Sequence, residues 1–545
     1  MVVSNGREFS LGLIGEVWRR PERLEPLLDE LLQSEFLHER SEAEETSYVF
    51  HHALTQDAAY TGLLARDRRR THADVGRALE TLYRGRAEEV AELLALHYDR
   101  SHDADKAVDY AILAAEKAQR RWANAEALSY FEAALRRLDA MPDTAPNRLR
   151  RIDALIKQGE VKLALGQHAE HINALAGIRD IVDENQDPRR RASWNYWMGF
   201  LGCLTGGHPT AAIEHCREAS AIAAAAGFDE LQGPIQSCLS QAYIVAGELQ
   251  AAIDAGIRAL AILEARGDLL PAIRTLWHLS SASNYRGEWQ ASLGYCRRAL
   301  EHADALTDLR LKGVTLWRTG SAHIQRGDVD AGLPYCEEAL ALKPIPYDLA
   351  MTRLIRGYGL VKAGRLDSGI SELSEVLSWF SASHLSYVRA IACLWLAEGH
   401  LAMGNRASAR PLVEDVLGVC RDNGYRHYEA MANRALAECL AIDQPVLADR
   451  QIESALRAFD RIGAQNDLAR ALATRADLRR LTGDTEAAEQ LLRQALAIFE
   501  ALGTHDEPAR VKAALTALSQ PVPQDRADGA LQRAVAATPG AHFGS

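Results

Sequence analysis

The chain has 545 residues, a length that fits three or four domains or one long array of repeats. Lys and Arg number 62 against 74 Asp and Glu, a net charge of −12; the only dense basic patches, Arg66 with Arg68 to Arg70 and Arg189 to Arg191, are short and read as solvated faces, so no nucleic acid is expected as partner. At 48% hydrophobic and 25% charged the chain can bury a sizeable core, no apolar run is long enough for a membrane span, no secretory leader is seen, and eight cysteines stand singly without a CxxC pair, so the expected setting is cytoplasmic, away from membranes, with reduced thiols and no metal or other cofactor.

In chain order, residues 6–18 (GREFSLGLIGEVW) predict a helix and residues 22–40 (ERLEPLLDELLQSEFLHER) a second one with apolar residues at helical spacing. Residues 47–60 (SYVFHHALTQDAAY) predict a strand running into another helix. The stretch FHHALTQDAAYTGLLARDRRRTHADVGRALE and the helix pair AEEVAELLALHYDRSHDADKAVDYAILAAEKA follow. This succession resembles the end of the winged-helix module in bacterial signal-transduction ATPases with numerous domains, particularly those behind a class III adenylate or guanylate cyclase domain, and it runs from about Gly6 to Leu138. The resemblance implies a winged-helix-like remnant over residues 1–60 and a helical linker with a first degenerate repeat over 61–142. In those relatives a histidine near the end of the winged helix can face the bound nucleotide, a role that would fall here on His52 as a nucleotide-sensor remnant; the alternative is a structural, hydrogen-bonded histidine. A P-loop needs glycines followed by Lys and Ser or Thr, and no Gly-Lys dipeptide occurs in the sequence. The chain therefore resembles the C-terminal half of such a protein, as a separate gene product or a truncated reading frame, with a nucleotide-binding ATPase or cyclase module as a candidate companion.

Residues 143–519 repeat themselves. Turn residues align at Gly166, Gly207, Gly247, Gly287, Gly327, Gly364, Gly404, a degenerate Asp443 and Gly483, about forty apart, with Trp122 in the turn of an earlier unit. Five places after the turn stand only small residues, Ala212, Ala252, Ser292, Gly332, Gly369, Ala409, Ala448 and Ala488. Seven places before it the column is again mostly small, with Phe200 and Leu436 departing from it. Small residues at recurring helical positions let neighbouring backbones approach closely. Each unit thus reads as helix A, glycine turn, helix B and a polar connector such as LGTHDEP. The pattern resembles tetratricopeptide repeats with a unit longer than the family's usual one, which implies an all-α superhelix, an α-solenoid of paired antiparallel helices.

Such arrays bind peptides or other ligands on the concave face lined by their A helices. Ten places before the turn stand Trp197, Ser237, Trp277, Trp317, Leu354 and Leu394, with Trp194 one helical turn before Trp197. This column reads either as an aromatic ladder for a partner or as packing between helices. Polar candidates for the same face are Gln241, Arg274, Asn284, Tyr285, Gln325, Tyr358, Lys362 and Glu398. His168 and His171, three apart, could share a helix face toward a metal, but nothing nearby completes a ligand set and they read as surface polarity. Cys216, Cys296 and Cys336 read as packing residues. No catalytic constellation emerges, and residues 520–545, rich in Pro, Gly and Ala, read as a disordered tail. The expected function is a non-catalytic scaffold or sensor that binds a protein or peptide in its groove, the regulatory half of a signalling ATPase or cyclase system. The rival expectations are a small-molecule-sensing regulatory domain, and an enzyme known as adenylate cyclase or ATPase through longer relatives.

Overall fold

The computed structural model describes residues 8–18, 24–42, 45–383 and 385–519. The expected tail from Gln520 lies outside the described residues. The chain forms two compact units that divide between Trp197 and Met198.

The first unit begins with β1 (Glu8–Ser10), α1 (Leu11–Trp18), α2 (Leu24–Gln33), β2 (Leu37–Glu42) and β3 (Glu45–Phe50). The strands form one antiparallel sheet in the order β1-β3-β2, with Phe9 opposite Tyr48 and Leu37 opposite Phe50. Those four side chains pack on Ile14, Leu24 and Leu28. The two predicted helices are therefore shorter than expected: Glu8–Ser10 is a strand, and the second helix ends at Gln33, where Glu35 turns left-handed (φ 57°) and Leu37–Glu42 pairs with β3. A helical reading of 22–40 overlooked that the segment after Phe36 finds a strand partner beyond the turn.

Helices α3 (Ala53–Thr61), α4 (Ala65–Leu82), α5 (Ala91–Asp99), α6 (Ala104–Arg120) and α7 (Asn124–Asp139) follow. Tyr98 of α5 is fully buried against Gly76 of α4, where a Cβ would meet its ring at 2.7 Å. Trp122, expected in a turn, sits left-handed between α6 and α7 at φ 60°. The next stretch breaks into α8 (Ala145–Lys157), α9 (Gly159–Ala164), α10 (His168–Ala176) and α11 (Arg179–Asn185) before α12 (Pro188–Thr205). His168 and His171 are buried, not surface residues, because α10 turns them inward together with Leu175. Burial keeps the His171 imidazole neutral, its pKa lowered to about 4, and its ring meets Trp197 edge-on at 5.8 Å. Among the described residues no three His, Cys, Asp or Glu side chains gather as a metal site.

The second unit continues with α13 (Pro209–Ala226), α14 (Asp229–Ala246), α15 (Leu249–Arg266), α16 (Leu269–Arg286), α17 (Trp289–Leu306) and α18 (Leu309–Arg326). It goes on through α19 (Val329–Ala341), α20 (Pro346–Lys362), α21 (Leu366–Ala382), α22 (Ser386–Ala402) and α23 (Arg406–Asn423). The last helices are α24 (Arg426–Leu440), α25 (Pro445–Ile462), α26 (Gln465–Leu481), α27 (Thr485–Leu502) and α28 (Glu507–Ser519). The turn glycines work as expected: at Gly247 the chain goes left-handed (φ 75°) and the Glu248 amide donates back to the Tyr243 carbonyl at 2.8 Å, ending α14 and freeing the chain to reverse. The two small columns face each other inside each hairpin. The Ser240 hydroxyl donates to the Ala252 carbonyl at 2.8 Å, Ser280 and Ser292 hydroxyls lie 3.0 Å apart, and Cβ atoms added at Gly320 or Gly332 would each stand 2.9 Å from the other's carbonyl oxygen.

Both departures from the small column are register slips. Counted from the first residue of the helix, the position of Ser240 falls in α12 on Gly199, not Phe200, and in α24 on Ala437, not Leu436. A Cβ at Gly199 would stand 3.0 Å from the Ala212 carbonyl, and Ala437 is fully buried. One extra residue in the turn after α12 makes Gly206, at φ 86°, the left-handed glycine instead of Gly207. Helix α24 is three residues shorter than α14 and the turn after it two longer, so α25 starts one residue early, and that turn has no left-handed residue.

Successive helices pack in antiparallel pairs, and the even-numbered helices α14 to α26 also pack on one another two along the chain, which sets them on the inside of the curve. The result is the expected superhelix of tetratricopeptide type. All eight cysteines are buried and free of disulfides, as packing residues should be.

Candidate ligand-binding interior

The inner face of the second unit does not form an open groove along its middle. Helix α14 packs on α24 and α16 on α26, so the superhelix meets itself after five hairpins. The contact recurs at successive turn glycines: Gly206 faces Ser386, Gly247 faces Arg426, Gly287 faces Leu502 and Gly327 faces Asp506. At Gly247 a Cβ would stand 3.2 Å from the Arg426 Cβ, so the absence of a side chain allows this approach.

Six of the residues predicted for the groove converge here. Asn284, Tyr285, Gln325, Tyr358 and Lys362 line an interior chamber of about 20 Å³ together with Asp467 and Arg470, and Glu398 stands beside it. The chamber is close to the size of one water molecule. The hydroxyls of Tyr285 and Tyr428 lie 3.0 Å apart across the closure, and the Tyr285 ring sits 4.5 Å from that of His427. Lys362 Nζ pairs with Asp506 at 2.8 Å. Tyr358 stacks on Trp395 at 4.3 Å and donates its hydroxyl to Glu398 Oε2 at 3.0 Å.

Glu398 is the hub of a buried ionic network. It accepts from Arg470 at 2.9 Å and from Arg434, while Arg470 also faces Glu507 at 3.3 Å and Arg434 donates to Glu438 at 2.6 Å. Burial pushes the Glu398 carboxyl up, but Arg470 and Arg434 outweigh it and hold the pKa at about 2. His427 Nε2 lies 2.8 Å from Asp467, whose own carboxyl is held below its ordinary range by that contact despite burial. The Asn284 Oδ1 and His427 Nδ1 atoms are buried with no hydrogen-bond partner, so the interior is polar and not fully satisfied.

The remaining predicted residues lie elsewhere. Trp277 and Trp317 pack between successive A helices: Trp277 Nε1 donates to Thr315 at 2.9 Å, and the Arg318 guanidinium covers the Trp317 ring at 4.6 Å and that of Trp277 at 5.4 Å. The tryptophan column is thus packing, not an exposed ladder, and Trp197 leaves it altogether, since the register slip puts Tyr196 in that position. Trp194 and Trp197 are buried in the first unit, Trp194 donating to the Leu175 carbonyl at 2.8 Å. Arg274 covers the Phe200 ring at 6.0 Å, and Gln241 is half-buried away from the chamber. His52 is exposed at the start of α3 with its ring stacked on His51 at 4.5 Å; it makes no side-chain capping hydrogen bond.

Sequence reasoning missed Arg434, Arg470, His427, Asp467, Asp506 and Glu507. Arg470 was within reach, as the sixth residue of its helix, the place of Arg274 in α16. Arg434 is the ninth residue of α24, the place of Trp277, but the one-residue shift in this unit hid it.

No protein-family model matches the chain, and no curated protein matches it in sequence. Among solved structures it is similar to a Rap protein complexed with competence and sporulation factor, at 13% identity over 73% of this chain and 99% of that one, with a TM-score of 0.43. It is similar to NprR in complex with its cognate peptide NprX, at 13% identity over 66% and 98% of the two chains and a TM-score of 0.49. A third is a signal-transduction ATPase with numerous domains and a tetratricopeptide-repeat sensor from Pyrococcus horikoshii, at 12% identity over 84% and 62%, with a TM-score of 0.33.

Proposed function

We propose that this chain is a non-catalytic scaffold that binds a segment of a protein partner along the interior of its second unit. The observation that carries the reading is that this interior already holds polypeptide. The His505 amide donates to the Arg326 carbonyl at 2.8 Å, and Arg326 Nε donates to the Gly503 carbonyl at 3.1 Å. Backbone-to-backbone and arginine-to-carbonyl bonds recognise any extended chain, with neighbouring side chains supplying selectivity. A chamber with room for about one water favours a polypeptide that parts the closure over a metabolite that fills a preformed cavity.

Residues 1–60 fit the winged-helix-like remnant in their strand-helix-helix-strand-strand order, and we read 61–142 as the helical linker with a first degenerate repeat and 143–519 as the array. On that reading the scaffold is the regulatory half of a cytoplasmic signalling ATPase or cyclase system, and His52, exposed beside His51, is where a nucleotide held by a separate module would be sensed. Among the described residues no helix is long and apolar enough to cross a membrane.

The test is selection of binders from a random peptide library on the full chain, followed by hydrogen exchange of the complex. Bound peptides should protect α16, α18 and α20. Enrichment of peptides that protect only the odd-numbered outer helices, or failure to enrich any while a metabolite gives the protection, would replace this reading.

A further inference from the structure

The segment that closes the interior at its C-terminal end carries two adjacent carboxylates, Asp506 and Glu507, and it is held differently from the others along the closure. The starts of α22, α24 and α26 are each followed by a further hairpin, whereas α28 packs chiefly on α27 and has Val511 as its one fully buried apolar side chain among those described. What fixes it to the interior is polar. Asp506 Oδ2 pairs with Lys362 at 2.8 Å, Glu507 faces Arg470 at 3.3 Å, and the backbone at 503–505 bonds to Arg326. Gly327 makes room for it, since a Cβ there would stand 2.6 Å from the Asp506 amide nitrogen.

Lifting this segment leaves cations behind. Lys362, with its side chain only 12% exposed, would keep the Gln325 carbonyl at 3.5 Å and the Tyr358 ring at 5.9 Å but no carboxylate. Arg326 would lose its carbonyl partner at Gly503. Arg470 would keep Glu398 at 2.9 Å and Asp467 at 3.8 Å and lose Glu507. A nearly buried lysine left without a carboxylate, beside an arginine with one carboxylate fewer, selects a ligand that returns carboxylates to them.

We propose that residues 503–507 and α28 form a strap whose Asp506 and Glu507 carboxylates occupy the binding interior in the free protein, and that the partner presents an acidic segment, two adjacent carboxylates, which displaces the strap from Lys362 and Arg470. The inference rests on the polypeptide-binding reading and adds the chemistry of the partner and its regulation. Because the strap is tethered, it competes at a high local concentration, so weakening it raises the apparent affinity for a peptide in trans.

The experiment uses the full chain and a fluorescein-labelled peptide with the chain's own sequence LGTHDEPARV, read by anisotropy. The double variant Asp506→Asn with Glu507→Gln should bind the peptide at least tenfold more tightly than the unaltered chain. A peptide with Asn-Gln in place of Asp-Glu should lose that binding, and adding Lys362→Met to the double variant should weaken it tenfold or more. Equal binding of the acidic and amide peptides, or no loss on Lys362→Met, would overturn the proposal. If circular dichroism shows the double variant unfolded, the peptide is titrated at millimolar concentration into the unaltered chain. Hydrogen exchange over residues 503–511 must then rise at least threefold as the strap is displaced, and an unchanged rate would overturn the proposal. Selected library peptides that are neutral or basic yet protect α16, α18 and α20 would remove this inference and leave polypeptide binding standing; failure of peptides of every charge would remove both.

Discussion

Glu398 concentrates most of the interior's electrostatics in one side chain. Its carboxylate is nearly out of solvent, with a side chain 11% exposed, and it answers two guanidiniums and a phenol. Replacing it by Gln keeps the shape and leaves Arg434 and Arg470 buried without their shared counter-charge, a change expected to cost about 3–5 kcal/mol in urea unfolding at neutral pH. The pH dependence has a definite sign. The carboxyl titrates near 4.5 when unfolded and at about 2 when folded, so its contribution is complete above pH 4.5 and is lost as pH falls toward 2. Glu398→Gln should flatten that part of the acid limb, and an acid limb of unchanged slope would mean that other carboxylates carry it. Glu398, Tyr358 and Lys362 were legible as polar residues on an A helix. Their partners were not, because a column count says which face a residue takes and not which segment, from α22 to the start of α28, comes to meet it.

At the scale of the hairpin, the small-residue columns make opposite predictions for two glycines that look alike in sequence. At Gly369 of α21 an added Cβ would lie 2.8 Å from the Gly357 carbonyl oxygen and 2.9 Å from the Val361 nitrogen, both backbone atoms that cannot step aside. Gly369→Ala should cost about 1–3 kcal/mol by forcing the hairpin apart. At Gly294 of α17 an added Cβ meets nothing within 4 Å, so Gly294→Ala should gain about 0.5–1 kcal/mol from helix propensity alone. Denaturant midpoints of the two variants must shift in opposite directions. Ala299→Pro, at a fully buried position late in α17, removes a helical hydrogen bond and should cost about 3 kcal/mol or more, visible as lost helicity in circular dichroism. The hairpins were readable because close approach of two backbones admits few residue types, and that restriction repeats. The turns after α12 and α24 were misread by one residue because glycine was used as the marker. In the first of them two adjacent glycines compete for the left-handed position, and in the second the chain reverses without one.

Across the whole second unit, closure changes the kind of stability the array has. An open solenoid is held by nearest neighbours, so its ends fray first and its middle melts last. Here the Tyr285–Tyr428 and Arg326–Gly503 contacts join residues 143 and 177 positions apart, and the glycines at 206, 247, 287 and 327 add close contacts along the same seam. Nothing in a forty-residue period announces this. The period sets the rotation of one hairpin on the next only through packing details, and small changes in that rotation decide whether the coil stays open or meets itself. Contacts so distant in sequence impose a loop-closure cost that is recovered only when both walls are in place, so the walls should fold and unfold together. The expectation is that native-state hydrogen exchange in rising urea shows α14 and α16 losing protection at the same concentration as α24 and α26. The Tyr387 hydroxyl also faces this pair, so Tyr285→Phe and Tyr428→Phe are combined with Tyr387→Phe to remove the buried hydroxyls together, and the triple variant should lower both walls by the same amount. Arg326→Met, which frees Gly503 from α18, should lower α28 before α26. If α24 and α26 opened well before α14 and α16 in the unaltered chain, the seam would be a mere contact between two independent stretches of an ordinary solenoid, and the interior would already be open to a partner without any displacement of the strap.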